Sequence, residues 1–334
     1  MDKEVSAFVA EIKKGAPRPL YLLFGEEPYY IDKISQFIAE NVLTEEERAF
    51  NQMVVYGKDS SIDDVISHAK RYPMMAERQV LILKEAQHLH RTIDQLLPYT
   101  LNPQPTTVLV ICYKYLKLDK RKKLFKAIQE NGRIFESKKI YEEKVGPWIG
   151  KLVAEKNYRI SPKSCALLVE SLGNDLGRIE NELDKLIQFV PQGSEIGLDL
   201  IEKHIGISKD FNNFALKEAL GERDVKKAAR IIEYFAQNPK DNPFMVTISQ
   251  LNTFYGQLLQ YHGLNDHSKS NVAKILGVHP YFVKDYVVAA KNYPMKRVSG
   301  IIASLRRLDL KSKGVGANKM SQADLLKELL TELV

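Results

Sequence analysis

Residues 19–33 read PLYLLFGEEPYYIDK, and the fold class follows from this stretch. Pro19–Phe24 is an apolar run of strand length, as expected for a strand covered on both faces. Gly25-Glu26-Glu27-Pro28 is a glycine-led turn, and Tyr29 to about Val42 has the apolar spacing of a helix. Strand, glycine turn and helix in this order are the setting of a phosphate-binding loop. There, G-x-x-x-x-G-K-[ST] places backbone N–H groups and one lysine around the phosphates. Counted from Gly25, the pattern meets Tyr30, Ile31 and Asp32 where it needs Gly, Lys and Ser or Thr. Glu26 and Glu27 add negative charge that repels a triphosphate. The segment has the framework of a nucleotide-binding domain without its phosphate chemistry.

Working outward, Val5, Phe8, Val9 and Ile12 make one helical face before this strand. After it, strands are predicted at 52–56, 79–83, 107–112 and 133–135. Helices are predicted between them: one carrying Ile62, Val65, Ile66 and Ala69, and others at 91–101 and 119–130. Short apolar strands separated by helices predict an α/β fold with a parallel sheet. From Tyr141 the strand signal stops. A helix over 141–156 holds Trp148, and Ser161-Pro162 is an N-cap and first-turn pair for the next helix. Gly173-Asn174-Asp175 breaks that helix, and Leu176, Ile179, Leu183, Leu186 and Ile187 line another. Beyond Phe211 the pattern is helical to the end. The expected organisation is an α/β domain (1–140), a small helical domain (141–208) and an all-α C-terminal domain (209–334).

The chain has 334 residues, 44% hydrophobic and 27% charged, as globular proteins do. A net charge of +7 reads either as a mildly basic surface or as one that meets an acidic partner, nucleic acid first. Cys112 and Cys165 each lie in apolar surroundings and read as buried thiols, which suits a reducing cytoplasm. The N-terminal residues carry charge instead of an apolar signal core, and no apolar run reaches membrane-spanning length. A mobile loop is expected at 311–319 (KSKGVGANK).

Taken together, PLYLLFGEEPYYIDK (19–33), YPMMAERQVLIL (72–83), GNDLGRIENELDKL (173–186), FALKEALGERDVKKAARII (214–232) and SLRRLDLKSKG (304–314) carry a resemblance. In order and spacing the chain resembles the delta-subunit family of the bacterial DNA polymerase III clamp loader, over essentially its whole length. The resemblance implies an AAA+-type module, made of the α/β domain and a helical lid, followed by a helical collar that holds the loader together. It implies a subunit that opens the sliding clamp (beta) without hydrolysing ATP and without a cofactor of its own. Implied partners are the clamp, the gamma/tau and delta prime subunits of the loader, and primer–template DNA. DNA-directed DNA polymerase (nucleotidyltransferase) activity would belong to the complex, not to this chain. Two further residue patterns agree. A metal-holding strand end would read Asp-Glu after Leu83, but Lys84-Glu85 stands there. The Ser-Arg-Cys arginine-finger motif of the neighbouring loader subunits occurs nowhere, so Arg121 and Arg133 lack that context. The resemblance places the clamp contact at Tyr72-Pro73-Met74-Met75. Pro73 disfavours helix at Tyr72, which leaves the methionines on a short turn. Their flexible thioethers suit an irregular apolar groove; relatives in the family often carry Leu-Phe-like pairs.

Other signals compete. Residues 271–288 read either as a DNA-reading helix-turn-helix, with Tyr281, Lys284 and Asp285 on its second helix, or as a hairpin of the collar. Flanking helices favour the hairpin. Lys114–Lys126 contains seven basic residues, a solvated face or a surface for DNA or a neighbouring subunit. His88-x-His90 lacks metal-ligand partners beyond Glu85, Gly314-Val-Gly316 is not a dinucleotide fingerprint, and Glu45-Glu46-Glu47 reads as a solvated turn. The alternatives to a clamp-opening subunit are an AAA+-type ATPase with an atypical phosphate site and a helix-turn-helix DNA-binding regulator.

Overall fold

In a computed structural model, Leu20–Gly25 becomes β1, buried along its whole length near the middle of a five-stranded parallel sheet. The structure describes residues 3–333 apart from 14, 16, 117, 207, 209 and 316–319. The sheet order is β2-β3-β4-β1-β5, with β2 Gln52–Tyr56, β3 Gln79–Lys84, β4 Thr107–Lys114 and β5 Arg133–Ser137. Helices α1 (Lys3–Lys13), α2 (Pro28–Asn41), α3 (Glu45–Asn51), α4 (Ile62–Ala69), α5 (Leu97–Leu101) and α6 (Lys123–Asn131) complete this unit.

Alternation along β1 divides the core in two. Tyr21 and Leu23 pack with Phe8, Ile12, Ile31, Ile34 and Ile38 from α1 and α2. Leu20, Leu22 and Phe24 pack on the other face with Ile62, Val65, Leu124 and Ile128 from α4 and α6. Side chains two apart share a face of a strand. One six-residue run therefore anchors both helical layers.

Several expected elements differ. The turn predicted at Glu45–Glu47 is the first turn of α3: Thr44 accepts from the Glu47 N–H, and the Glu47 carboxylate accepts from the Thr44 N–H, a capping box. The helix predicted over 91–101 is a short 3₁₀ turn, Ile93–Leu96, leading into α5, because Pro98 is tolerated only in a first turn. The helix predicted from 119 starts at Lys123, since the Asp119 carboxylate takes the Arg121 N–H and holds a turn there.

The chain falls into two compact units, Met1–Ile140 and Tyr141–Val334. The second contains α7 (Glu142–Glu155), α8 (Pro162–Leu172), α9 (Leu176–Leu186) and α10 (Leu198–Ile205). It also has two-residue strands β6 (Arg159–Ile160) and β7 (Glu195–Ile196), which pair in parallel and are too short to leave a periodic signal. The bundle α11 (Asn213–Glu222), α12 (Val225–Gln237), α13 (Phe244–His262), α14 (Lys269–Leu276), α15 (Val283–Asn292), α16 (Met295–Ser312) and α17 (Gln322–Leu333) follows. Leu216, Phe235, Tyr255, Leu258, Leu305 and Leu326 lie in its core. Glu170 of α8 accepts the N–H groups of Asn213 (2.6 Å) and Phe214 (3.0 Å), so its carboxylate sits at the positive end of α11. In the 271–288 segment, Val272, Leu276, Val283 and Tyr286 are core residues of the bundle, and the Lys284 ammonium lies 4.6 Å from the Tyr281 ring centroid. Of the loop expected at 311–319, Lys311 and Ser312 end α16, and 316–319 lie outside the described residues.

Candidate functional site

Open parallel sheets bind ligands at the carboxyl ends of their strands. In this chain, its own side chains occupy that edge. Gly25 ends β1 at φ 137° and pairs with Lys114 on one side and Ser137 on the other. A Cβ at Gly25 would stand 2.0 Å from the Ser137 carbonyl oxygen, so only glycine fits. Where a phosphate loop would swing wide, the chain stays against β5: the Glu27 N–H donates to that same carbonyl at 3.3 Å. Glu27 is buried, and its carboxylate accepts the Tyr29 N–H at 3.1 Å as the N-cap of α2. Helix N-termini attract phosphates through these N–H groups; here a carboxylate takes the place. At the degenerate loop positions, Tyr30 packs edge-on against Tyr29 and Phe135, and Ile31 is buried in the core.

Asp32 and Glu85 both meet Lys114. The Lys114 ammonium lies 2.8 Å from the Asp32 carboxylate and 2.9 Å from that of Glu85. Its side chain is 10% exposed. Gln87 holds the arrangement by donating to Glu85 and accepting the Lys114 N–H at 3.1 Å. Burial opposes the charge on Lys114, but hydrogen bonds to Asp32 and Glu85 outweigh it and push the ammonium up to about 12. Burial likewise opposes the Glu85 charge, and hydrogen bonds from Lys114 and Gln87 override it, holding the carboxyl below its ordinary value. An internal cation thus balances two carboxylates at the carboxyl edge of the sheet. Lys84, which precedes Glu85, is the half-buried last residue of β3.

The second feature is the turn between α4 and β3. The α4 helix ends at Ala69, before Pro73, and the chain then runs without regular structure to Gln79. Tyr72, Met74 and Met75 are exposed, Met75 completely at 105%. Pro73 is half-buried. The Gln79 side chain closes the turn by donating to the Arg71 carbonyl at 2.5 Å and to the Thr107 hydroxyl at 2.8 Å. Arg78 donates to the Pro17 carbonyl at 2.7 Å. At the centre, the buried Asn51 side chain accepts the Met74 N–H at 2.6 Å and donates to the Met74 carbonyl at 2.9 Å.

Lys114 belongs by sequence to the basic run Lys114–Lys126; the structure buries it, because β4 carries it to the sheet edge beside two acids. Elsewhere in the run, Lys120 pairs with Glu136 (2.8 Å), Arg121 with Asp119 (2.8 Å) and Lys122 with Asp94 (2.6 Å). Nothing local in the sequence marks Asn51, whose partner Met74 lies 23 residues away. Arg133 stacks 3.9 Å over the Phe8 ring and pairs with Glu11. Cys112 and Cys165 are buried free thiols, both pushed by burial up to about 12. Among the described residues, no helix is long and apolar enough to cross a membrane, and no cluster of His, Cys, Asp and Glu is placed to hold a metal ion.

Comparison with known proteins places the chain in a family. One family model, for the delta subunit of DNA polymerase III, matches residues 21–138, and another, for the C-terminal domain of that subunit, matches residues 210–329. The chain is 27% identical to the DNA polymerase III subunit delta of Bacillus subtilis (strain 168) over 335 residues, covering 97% of this chain and 95% of that protein. It is 21% identical to a probable DNA polymerase III subunit delta of Aquifex aeolicus (strain VF5) over 312 residues, covering 88% and 86%. The solved Bacillus subtilis DNA clamp loader delta protein superposes with a TM-score of 0.54 at 25% identity, covering 98% of this chain and 99% of that one. A parallel-sheet domain followed by helices is thus the architecture that the chain shares with this protein. Both family models match in chain order, on the sheet unit and on the terminal helical bundle, and the chain belongs to the DNA polymerase III delta subunit family.

Proposed function

We propose that this chain is the clamp-opening subunit of a bacterial clamp loader, acting on the sliding clamp without hydrolysing ATP itself. The observation that carries this reading is the exposed Met74-Met75 tip on a turn tied down at both ends and at its centre. Two large apolar side chains held in water on an ordered turn fit docking into an apolar pocket of a ring-shaped partner. Tyr72 and Pro73 would flank that contact. Binding does work on the ring only to the extent that the tip prefers the open form over the closed one. The second half of the proposal draws support from the sheet edge, where Glu27 takes the anion position and Lys114 the cation position.

In this reading residues 141–208 act as the lid and residues 209–334 as the collar. The collar would join gamma/tau and delta prime subunits in the cytoplasm, and the assembled loader would enclose primer–template DNA. Met245, Val246, Met295 and Leu310 are exposed apolar residues of the bundle, suited to such an assembly. Calorimetric titration of the full chain with the sliding clamp, in parallel with Mg-ATP, tests both parts. Binding to the clamp, lost with Met74→Ala plus Met75→Ala, and no heat with Mg-ATP are expected. Clamp affinity unchanged in the double variant would overturn the first part, and tight Mg-ATP binding the second.

A further inference from the structure

Met75 occupies the left-handed region at φ 52° while its side chain lies wholly in solvent. A non-glycine residue there carries a backbone cost on the order of 1 kcal/mol, so surrounding contacts must hold it. Gln79 and Arg78 tie the ends of the turn. The residue before Met75 is gripped by a side chain from another element. Asn51, the last residue of α3, is 6% exposed and engages both backbone groups of Met74. Its amide nitrogen also donates to the Glu47 carbonyl at 3.2 Å, which fixes the orientation of the group. Glu47 in turn belongs to the capping box that starts α3.

We propose that Asn51 is the positioning residue for clamp docking: its side-chain amide pre-forms the tip, so that Met74 and Met75 are presented together before the clamp arrives. This rests on the reading of the two methionines as the docking residues. The chemistry selects the residue type. One side chain must accept an N–H and donate to a C=O of the same residue, which a planar amide does and a carboxylate does not. Aspartate at this position keeps the acceptor but turns a negative oxygen toward the Met74 carbonyl. Alanine removes both bonds. In either variant the presented shape becomes one of several, and apparent affinity falls in proportion to its population. A turn that is competent one time in ten binds about tenfold more weakly with no contact to the clamp altered.

The test uses the full chain and the sliding clamp, with wild type, Asn51→Ala, Asn51→Asp and Met74→Ala plus Met75→Ala. Affinity is measured by calorimetry well below the melting transition, alongside nuclear magnetic resonance of ¹³C-methyl-labelled methionine. Both Asn51 variants are expected to bind about tenfold more weakly. The Met75 methyl signal of the free protein should move toward its position in an unfolded chain, whereas the clamp-bound signal should match wild type. A purely structural role would lower the melting temperature and leave affinity and the methyl signal unchanged, and that result would overturn the proposal. Loss of binding in the double methionine variant with wild-type affinity in both Asn51 variants would also overturn it. Wild-type affinity in the double methionine variant would instead remove the docking reading itself. If Asn51→Ala fails to fold, the comparison rests on Asn51→Asp, which retains the bond to the Met74 N–H.

Discussion

At the carboxyl edge of the sheet, Lys114 and its two acids are turned toward one another; between α4 and β3, Met74 and Met75 are turned toward water. Both places belong to the same unit, and both depart from the average protein in opposite senses. The first buries charge, which folded chains avoid unless the charge is paired. The second exposes large apolar groups on an ordered backbone, which gains nothing for the isolated chain. A charge that is balanced internally has no need of a ligand. An apolar tip that is left unburied keeps its transfer free energy for a partner. The contrast separates a part of the sheet domain whose charges are satisfied internally from a part whose apolar surface is left in water.

The largest break in this comparison comes from emptying the tip. Burying two methionines supplies roughly 3–6 kcal/mol before association costs, so Met74→Ala with Met75→Ala should weaken clamp binding by about 10²- to 10⁴-fold. Because both side chains are exposed, the melting temperature should stay within about two degrees of wild type. A fall in clamp affinity matched by a large fall in melting temperature would mean that the methionines support the fold rather than a partner.

The opposite result is expected at the sheet edge. Lys114→Ala leaves Asp32 and Glu85 facing each other without a cation, and should cost about 2–3 kcal/mol of stability. Clamp affinity at low temperature should remain at the wild-type value. Denaturant unfolding of the isolated chain measures the first and calorimetry the second. Stability unchanged in Lys114→Ala would mean that the ammonium is not the balancing charge described above.

Acid sharpens the same contrast. Glu85 is held below its ordinary value of 4.5, so its carboxylate contributes stability that is present above that value. That contribution is lost as pH falls through the lowered folded value. The stability gap between wild type and Glu85→Gln should therefore be constant from neutral pH to about pH 5 and close below it, with a plateau of about 1–2 kcal/mol. Urea unfolding at a series of pH values reads the gap directly. A gap that widens toward acid would reverse the assignment.

Much of what local order encodes is legible in the sequence. β1 announces itself because Pro19–Phe24 is an unbroken apolar run, and the mismatch to a phosphate loop shows at Tyr30, Ile31 and Asp32 without any structure. The methionine turn is legible through Pro73 and the family resemblance. The capping box at Thr44–Glu47 is written in the chain but reads as a solvated turn, since three glutamates in a row suggest solvent before they suggest a first helical turn. The roles of Lys114 and Asn51 are not legible. Lys114 meets Asp32 and Glu85 only because β4 lies between β1 and β3, and Asn51 meets Met74 only because α3 ends beside the turn. Pairings of this kind are products of sheet order, which no window of sequence contains.

The smallest expected effect concerns how far the docking face extends beyond the tip. Phe50 precedes Asn51 at the end of α3 and is 74% exposed. It is therefore one residue from the bond that holds Met74, on the same element that positions the turn. A rim aromatic of this kind contributes less than a central anchor, because water remains beside it in the complex. Phe50→Ala should weaken clamp binding by about two- to fivefold, which corresponds to about 0.4–1 kcal/mol, with no change in melting temperature. In a double-variant cycle with Met75→Ala the two losses should add if the side chains touch separate parts of the clamp. A Phe50→Ala loss as large as that of the methionines would shift the centre of the contact from the turn to α3.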